Sequence, residues 1–97
     1  MILVIGAGGL GSPMLLALAA RGVRRITLLD PDRVELSNLH RQILYREEDI
    51  GRPKAECAGA ALRARFPGIE IDARPIAFDS RTRAIVAQHD LVLDATD

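Results

Sequence analysis

The sequence predicts an α/β domain, a Rossmann-like, doubly wound and mostly parallel sheet, on three observations. An apolar run, Ile2-Leu3-Val4-Ile5, leads directly into the glycine-rich segment Gly6-Ala7-Gly8-Gly9-Leu10-Gly11. A second run, Ile26-Thr27-Leu28-Leu29, ends in Asp30, roughly 20 residues beyond the last glycine, the spacing at which an acidic side chain meets ribose hydroxyls in dinucleotide-binding folds. Short apolar runs and segments of helical period then alternate along the chain, as in sheets whose strands are joined by crossover helices.

Each element follows from its residues. The first strand is continuously apolar, as strands covered on both faces are. Gly6 permits a tight turn after it, Gly8 lets phosphates approach the backbone, and Gly11 allows close packing of the next helix, whose unpaired N–H groups and dipole favour negative charge. In that helix Leu10, Met14 and Leu18 recur four apart with Leu15 and Ala19 alongside, predicting one apolar face. Pro13 belongs in its first turn and Gly22 marks its end. A second helix is expected from about Pro53 to Phe66, with Ala58, Ala61, Leu62 and Phe66 inward and Pro67-Gly68 as terminator. Alternation in Ile69-Glu70-Ile71-Asp72-Ala73 predicts a strand nearer the sheet's edge. Asp79 or Ser80 can cap a third short helix carrying Ile85 and Val86, and Leu91-Val92-Leu93 reads as a buried strand.

Composition bounds the rest. With 97 residues, 48% of them hydrophobic, the chain can bury one modest core, so a single domain spanning 1–97 is expected. Thirteen basic and 13 acidic residues cancel, which leaves no electrostatic case for nucleic acid or an anionic membrane. No apolar stretch approaches the ~20 residues of a membrane span and no basic region precedes the first run, so a cytoplasmic protein is the expectation. The lone Cys57 excludes an internal disulfide and a Cys-rich zinc motif; among alanines on a helix it reads as a core residue. His40 and His89 have no cluster to join and read as surface or packing residues.

The segment from Asp30 to Lys54 is far longer than the ordinary connection of about 2–6 residues, and it is chemically loaded. If Ser37 caps a short helix, Asn38 and Arg41 share a face and present an amide and a guanidinium to one ligand. Arg41 and Lys54 can together neutralise a triphosphate held over the glycine loop; the alternative is a solvated charged loop. Asp94-Ala95-Thr96-Asp97 falls at the carboxyl end of the last strand, where open α/β sheets bind ligands. Asp97 is the better candidate to hold Mg²⁺ against phosphate oxygens, while Asp94 caps or pairs locally.

The combination G-A-G-G-L-G-S-P, L-D-P-D-R-V-E-L-S-N-L-H-R-Q, I-G-R-P-K-A and L-D-A-T-D resembles the ThiF/MoeB/HesA adenylyltransferases, relatives of the activating enzymes for ubiquitin-like proteins. The resemblance covers nearly the whole chain, and the text is most similar to the molybdopterin-synthase adenylyltransferase type, with the thiamine-pathway homologue close behind. It implies ATP-dependent adenylation of the C-terminal glycine of a small ubiquitin-like sulfur-carrier protein by a homodimeric enzyme. By the same resemblance Gly6, Gly8, Gly9 and Gly11 lie along the nucleotide, and Asp30 holds the ribose. It further implies that Asn38, Arg41 and Lys54 contact phosphate, Gln42 lies in the same segment, and Asp97 holds Mg²⁺. Relatives carry a helical segment with an arginine for the neighbouring subunit ahead of the first strand. Beyond the last strand they carry a carrier-binding sheet, paired C-x-x-C zinc motifs and, in some members, a catalytic cysteine that Cys57 does not match. The expectation is therefore the nucleotide-binding part of a larger enzyme, with its sheet incomplete at the C-terminus, a poor catalyst and an unstable monomer by itself. Zinc is possible in the full-length protein, but this chain holds no ligands for it. Two alternatives stay open: a nicotinamide-dependent oxidoreductase, which leaves Asn38, Arg41, Lys54 and Asp97 without a role, and a non-catalytic nucleotide-binding or assembly module.

Overall fold

The computed structural model describes residues 1–39 and 44–96. Four strands, β1 (Ile2–Ile5), β2 (Arg25–Leu29), β3 (Glu70–Arg74) and β4 (Leu91–Asp94), form one parallel sheet in the order β3-β2-β1-β4. Helix α1 (Gly11–Ala20) connects β1 to β2, and α2 (Lys54–Arg65) leads into β3. Strand order reverses between β1 and β4, so a crevice opens beyond their carboxyl ends.

Register decides which side chains meet the helices. Val4 stands beside Leu28 and Leu93, and Ile26 beside Ile71, so these residues point to one face and pack with Leu15, Ala19, Ala58 and Leu62 from the two helices. Leu3, Ile5 and Leu29 occupy the opposite face, with Ile85 and Val92 against them. The expected edge strand is found: β3 turns Ile71 and Ala73 toward the helices and Asp72 and Arg74 away, where they form a 2.7 Å ion pair. The Arg74 guanidinium holds the Asp72 carboxyl below the usual carboxylate range. Cys57 is buried in the helix-covered core, as expected, and burial pushes its thiol up.

Termination follows the glycines. Gly22 (φ 95°) and Gly68 (φ 90°) adopt the left-handed conformation after α1 and α2, and the Val23 N–H donates back to the Leu18 carbonyl at 3.0 Å.

Several local expectations are corrected. The row of α1 facing the core is Gly11, Leu15 and Ala19; Met14 and Leu18 are half-buried beside it, and Leu10 is 60% exposed. Neighbouring four-residue rows differ by one residue, hence by about 100° around the helix, and close contact at Gly11 selects which row turns inward. Ser37 does not cap a helix: it lies inside a 3-10 turn, Leu36–Asn38, whose start is closed by the Asn38 side chain accepting the Glu35 N–H at 2.8 Å. The third helix is a 3-10 segment, Arg83–Gln88, that starts after Thr82 rather than at Asp79 or Ser80. Asp79 instead accepts the Arg81 N–H at 2.8 Å in the preceding turn, and adjacent β-branched Ile85 and Val86 disfavour an α-helix there. Within residues 1–96, β4 pairs with β1 alone, leaving Leu91 exposed and Val92 and Leu93 half-buried.

His89 takes a packing position. Its Nδ1 lies 2.7 Å from the Ile85 carbonyl and its Nε2 2.7 Å from Thr27 Oγ1, tying the 3-10 segment to β2. A carbonyl only accepts, so Nδ1 carries the proton. No described helix is long and apolar enough to cross a membrane.

Candidate nucleotide-binding site

A cavity of about 600 Å³, within the usual range for small-molecule sites, lies beyond the carboxyl ends of β1, β2 and β4. Its floor is Ile5, Gly6 and Gly8. One wall is Asp30, Pro31 and Asp32 with Asn38 and Lys54, and the other is Ala77 and Phe78 with Asp94, Ala95 and Thr96.

The glycine loop is shaped by close backbone approaches. Gly6 has φ 102° and its N–H donates to the Leu29 carbonyl at 2.8 Å, so the turn continues the sheet's own ladder. A Cβ at Gly6 would come within 2.9 Å of the Ala95 carbonyl oxygen, and one at Gly11 would collide with the carbonyl of Gly6. These two glycines are therefore required by packing whether or not a ligand is present. Gly9 is exposed with open space around it, and neither Gly9 nor Gly11 lines the cavity.

Asp30 is buried at the end of β2. Its Oδ2 accepts the Ala7 N–H at 2.8 Å and its Oδ1 the Asp32 N–H at 2.7 Å, so one carboxylate joins the glycine loop to the following turn. An ionised carboxylate has about four acceptor sites, which leaves capacity for hydroxyl donors from the cavity.

Lys54 reaches the cavity because the long connection folds back on itself. Val34 donates to the Arg52 carbonyl at 2.9 Å, Gly51 to Val34 at 2.8 Å, and Lys54 N–H to the Asp32 carbonyl at 2.9 Å. The Arg33 guanidinium adds a 2.7 Å bond to the Gly51 carbonyl, and Gly51 (φ 86°) supplies the bend. Lys54 thus becomes the first residue of α2, only 8% exposed, and among the described residues it has no carboxylate within ion-pairing distance. A buried ammonium with no partner is costly, and the cavity it lines is the place from which an anion can supply one.

At the far wall Asp94 Oδ1 accepts the Thr96 hydroxyl at 2.6 Å and the Thr96 N–H at 3.0 Å. The Thr96 hydroxyl holds the Asp94 carboxyl below its ordinary range, and the local pairing expected of Asp94 is what the structure has. Arg41, Gln42, His40 and Asp97 lie outside the described residues. Among the described residues no group of three or more His, Cys, Asp or Glu is arranged to hold a metal.

Sequence reasoning missed four contributors. Phe78 and Ala77 enter the wall from the connection after β3, and Tyr45 and Ser12 support the floor: the Tyr45 hydroxyl donates to the Ala7 carbonyl at 2.6 Å and Ser12 Oγ to the same oxygen at 2.9 Å. An aromatic residue in the connection Ile76-Ala77-Phe78-Asp79 was the one signal available for the first pair. The second pair has none, because its partner is a backbone carbonyl.

Comparison with known proteins agrees with this geometry. The chain is 47% identical over 97 residues to the sulfur carrier protein adenylyltransferase of Thermus thermophilus, covering 99% of this chain and 36% of that protein. It is 45% identical over 97 residues to the molybdopterin-synthase adenylyltransferase of Escherichia coli, covering 99% of this chain and 39% of that protein. Among solved structures, the E. coli tRNA N6-threonylcarbamoyladenosine dehydratase TcdA in complex with ATP superposes with a TM-score of 0.90 at 33% identity, covering 99% of this chain and 40% of that one. The chain thus spans well under half the length of these proteins. The model of the ThiF family matches residues 1–97. With the glycine turn, the buried acid after β2 and the lysine at the start of α2 all present in one crevice, the chain belongs to the ThiF family.

Proposed function

We propose that this chain binds ATP in the crevice beyond β1 and β4 and forms the nucleotide site of an enzyme that adenylates the C-terminal glycine of a small ubiquitin-like sulfur-carrier protein. The observation that carries the reading is Lys54, a buried cation without a described partner, lining the same cavity as Gly6, Gly8 and Asp30. The names of the Thermus and E. coli relatives support the reaction class, and the ATP complex of TcdA supports the ligand.

Each residue has a role that its surroundings fit. Asp30 accepts ribose hydroxyls with the lone pairs its two backbone bonds leave. Gly8, on the cavity floor, offers backbone to phosphate, and Asn38, whose Oδ1 is engaged by Glu35, has its amide NH₂ to donate. Lys54 and Arg41 neutralise phosphate charge, and Gln42 belongs to the same nucleotide-binding stretch of sequence as Arg41. The carrier's carboxylate oxygen attacks the α-phosphorus; the bond from that phosphorus to the bridging oxygen breaks, and the electron pair leaves with pyrophosphate. Alignment and charge stabilisation are what such a step asks of the protein, and no protein nucleophile is needed. Asp97, three residues beyond Asp94 in the sequence, is the residue proposed to hold Mg²⁺. That ion would supply further neutralisation of the phosphates. A homodimer is proposed for the intact enzyme.

Parallel titration of the intact protein with ATP plus Mg²⁺ and with NAD tests the reading. ATP should bind and NAD should not. Lys54→Ala should slow ATP–pyrophosphate exchange with the carrier by about 10²-fold, the cost of losing one preorganised charge. Tight NAD binding without a response to ATP would restore an oxidoreductase, and ATP binding with no exchange for any carrier would leave a nucleotide-binding module.

A further inference from the structure

The peptide groups on both sides of Ala7 are held from within the protein. Ala7 N–H donates to buried Asp30 at 2.8 Å. The Ala7 carbonyl accepts two hydroxyls, from Ser12 at 2.9 Å and from Tyr45 at 2.6 Å, which arrive from different elements, α1 and the connection ahead of α2. Ser12 and Tyr45 are both buried, and neither bond is required to build the sheet. Burial, and then the Asp30 carboxylate, push the Tyr45 phenol up, so the group stays protonated and remains a donor. In a trans peptide the carbonyl and the next N–H point in opposite directions. Fixing the Ala7 oxygen inward therefore fixes the Gly8 N–H outward, on the residue that lines the cavity floor, and among the described residues that N–H has no hydrogen-bond partner.

From this geometry we propose that Ser12 and Tyr45 are positioning residues: they lock the Ala7–Gly8 peptide so that the Gly8 N–H is aimed at an anionic oxygen of a ligand in the crevice. Gly8 has no Cβ to resist rotation of that peptide, so without the two hydroxyls the unit is free to turn its carbonyl toward the ligand and repel it. Either hydroxyl alone still anchors the oxygen; loss of both releases it. The identity of the ligand as a nucleotide phosphate rests on the function proposed above, whereas the orientation of the peptide does not.

Two measurements on the intact protein separate those claims. Titrated with ATP and with adenosine, Tyr45→Phe and Ser12→Ala should each weaken ATP about threefold, and the double variant about thirtyfold, above the roughly ninefold of two independent losses, because either hydroxyl alone still anchors the shared acceptor. Adenosine affinity should stay within about twofold, since it lacks the oxygen that Gly8 meets; a general loosening of the domain would weaken both ligands together. Tyr45→Phe keeps the ring in the core and so remains informative if the double variant is unstable. Independently of any nucleotide, ¹⁵N relaxation dispersion should be flat at Gly8 in the wild type and show exchange in the double variant. Equal losses for ATP and adenosine, or a Gly8 signal unchanged in the double variant, would overturn the inference. If the wild type ignores ATP but Gly8 gains exchange on loss of the hydroxyls, the nucleotide reading fails and the peptide lock stands.

Discussion

Within residues 1–96 the two faces of the sheet are covered to different extents. On the face covered by α1 and α2, fourteen described residues form one buried cluster, running from Val4 and Leu28 in the strands through Leu15 and Leu62 in the helices to Val34, Leu44 and Tyr45 in the long connection. On the other face the buried apolar cluster among the described residues is just Leu3, Ile5 and Leu29, with Thr27 buried beside them, under half-buried Ile85 and Val92, and the edge is finished by the Asp72–Arg74 ion pair. The difference teaches where rigidity is placed. The cavity floor and the lysine at the start of α2 are anchored in the thick cluster, since Ala7, Tyr45 and Ala55 belong to it. Phe78 and Thr96 come instead from segments that adjoin the thin one. Within the described residues the cavity floor and Lys54 are thus set in more buried apolar surroundings than the opposite wall.

Truncations on the two faces put that contrast to the test. Leu15→Ala, at a fully buried position, should cost about 2–5 kcal/mol in denaturant unfolding, the range for deleting a buried leucine side chain. Gly11→Ala should follow at about 1–3 kcal/mol, because a Cβ there meets backbone of the Gly6 turn that no rotamer change relieves. That variant should also lose ligand binding, as the helix start and the turn must separate. Ile85→Ala, half-buried on the thin face, should cost only about 1 kcal/mol in proportion to the smaller area it covers. Should Ile85→Ala prove as costly as Leu15→Ala, the faces are equally structural and the contrast is wrong. The smallest effect is expected of Cys57 in the native state. Its raised thiol leaves less thiolate at any given pH than an ordinary cysteine, so alkylation at pH 8 should be at least about tenfold slower than in the unfolded chain. Labelling should speed up as pH rises. Rapid native labelling at pH 8 would show that the thick cluster opens locally.

Much of this organisation is written in local sequence. Strand, glycine turn and helix follow one another within Ile2 to Ala20, and each signal there acts over a few residues: an apolar run, a positive φ at Gly6, a proline in the first helical turn. Asp30 is legible for the same reason, as the residue that ends an apolar strand. The alternation in β3 identifies an edge before any coordinate is known, because a strand covered on one side needs only every second residue apolar. Errors arose where neighbouring rows or competing turns are close in energy. Leu10 and Leu15 look equally apolar, and only contact between Gly11 and the Gly6 carbonyl turns one row inward. Ser37 is a good capping residue, yet the cap position falls to Glu35, whose N–H the Asn38 side chain accepts.

What sequence alone determined about this protein is the order of its elements, the glycine turn, the acid after β2 and the edge character of β3, since each depends on bonds and periods within a few neighbours. Only tertiary structure decided that Lys54 is buried without a described partner, that Tyr45 and Ser12 meet on one carbonyl, and that Phe78 closes a wall of the cavity. Those arrangements join residues distant along the chain through backbone atoms. A carbonyl carries no side-chain identity, so nothing in the amino-acid text marks it as the place where two hydroxyls converge.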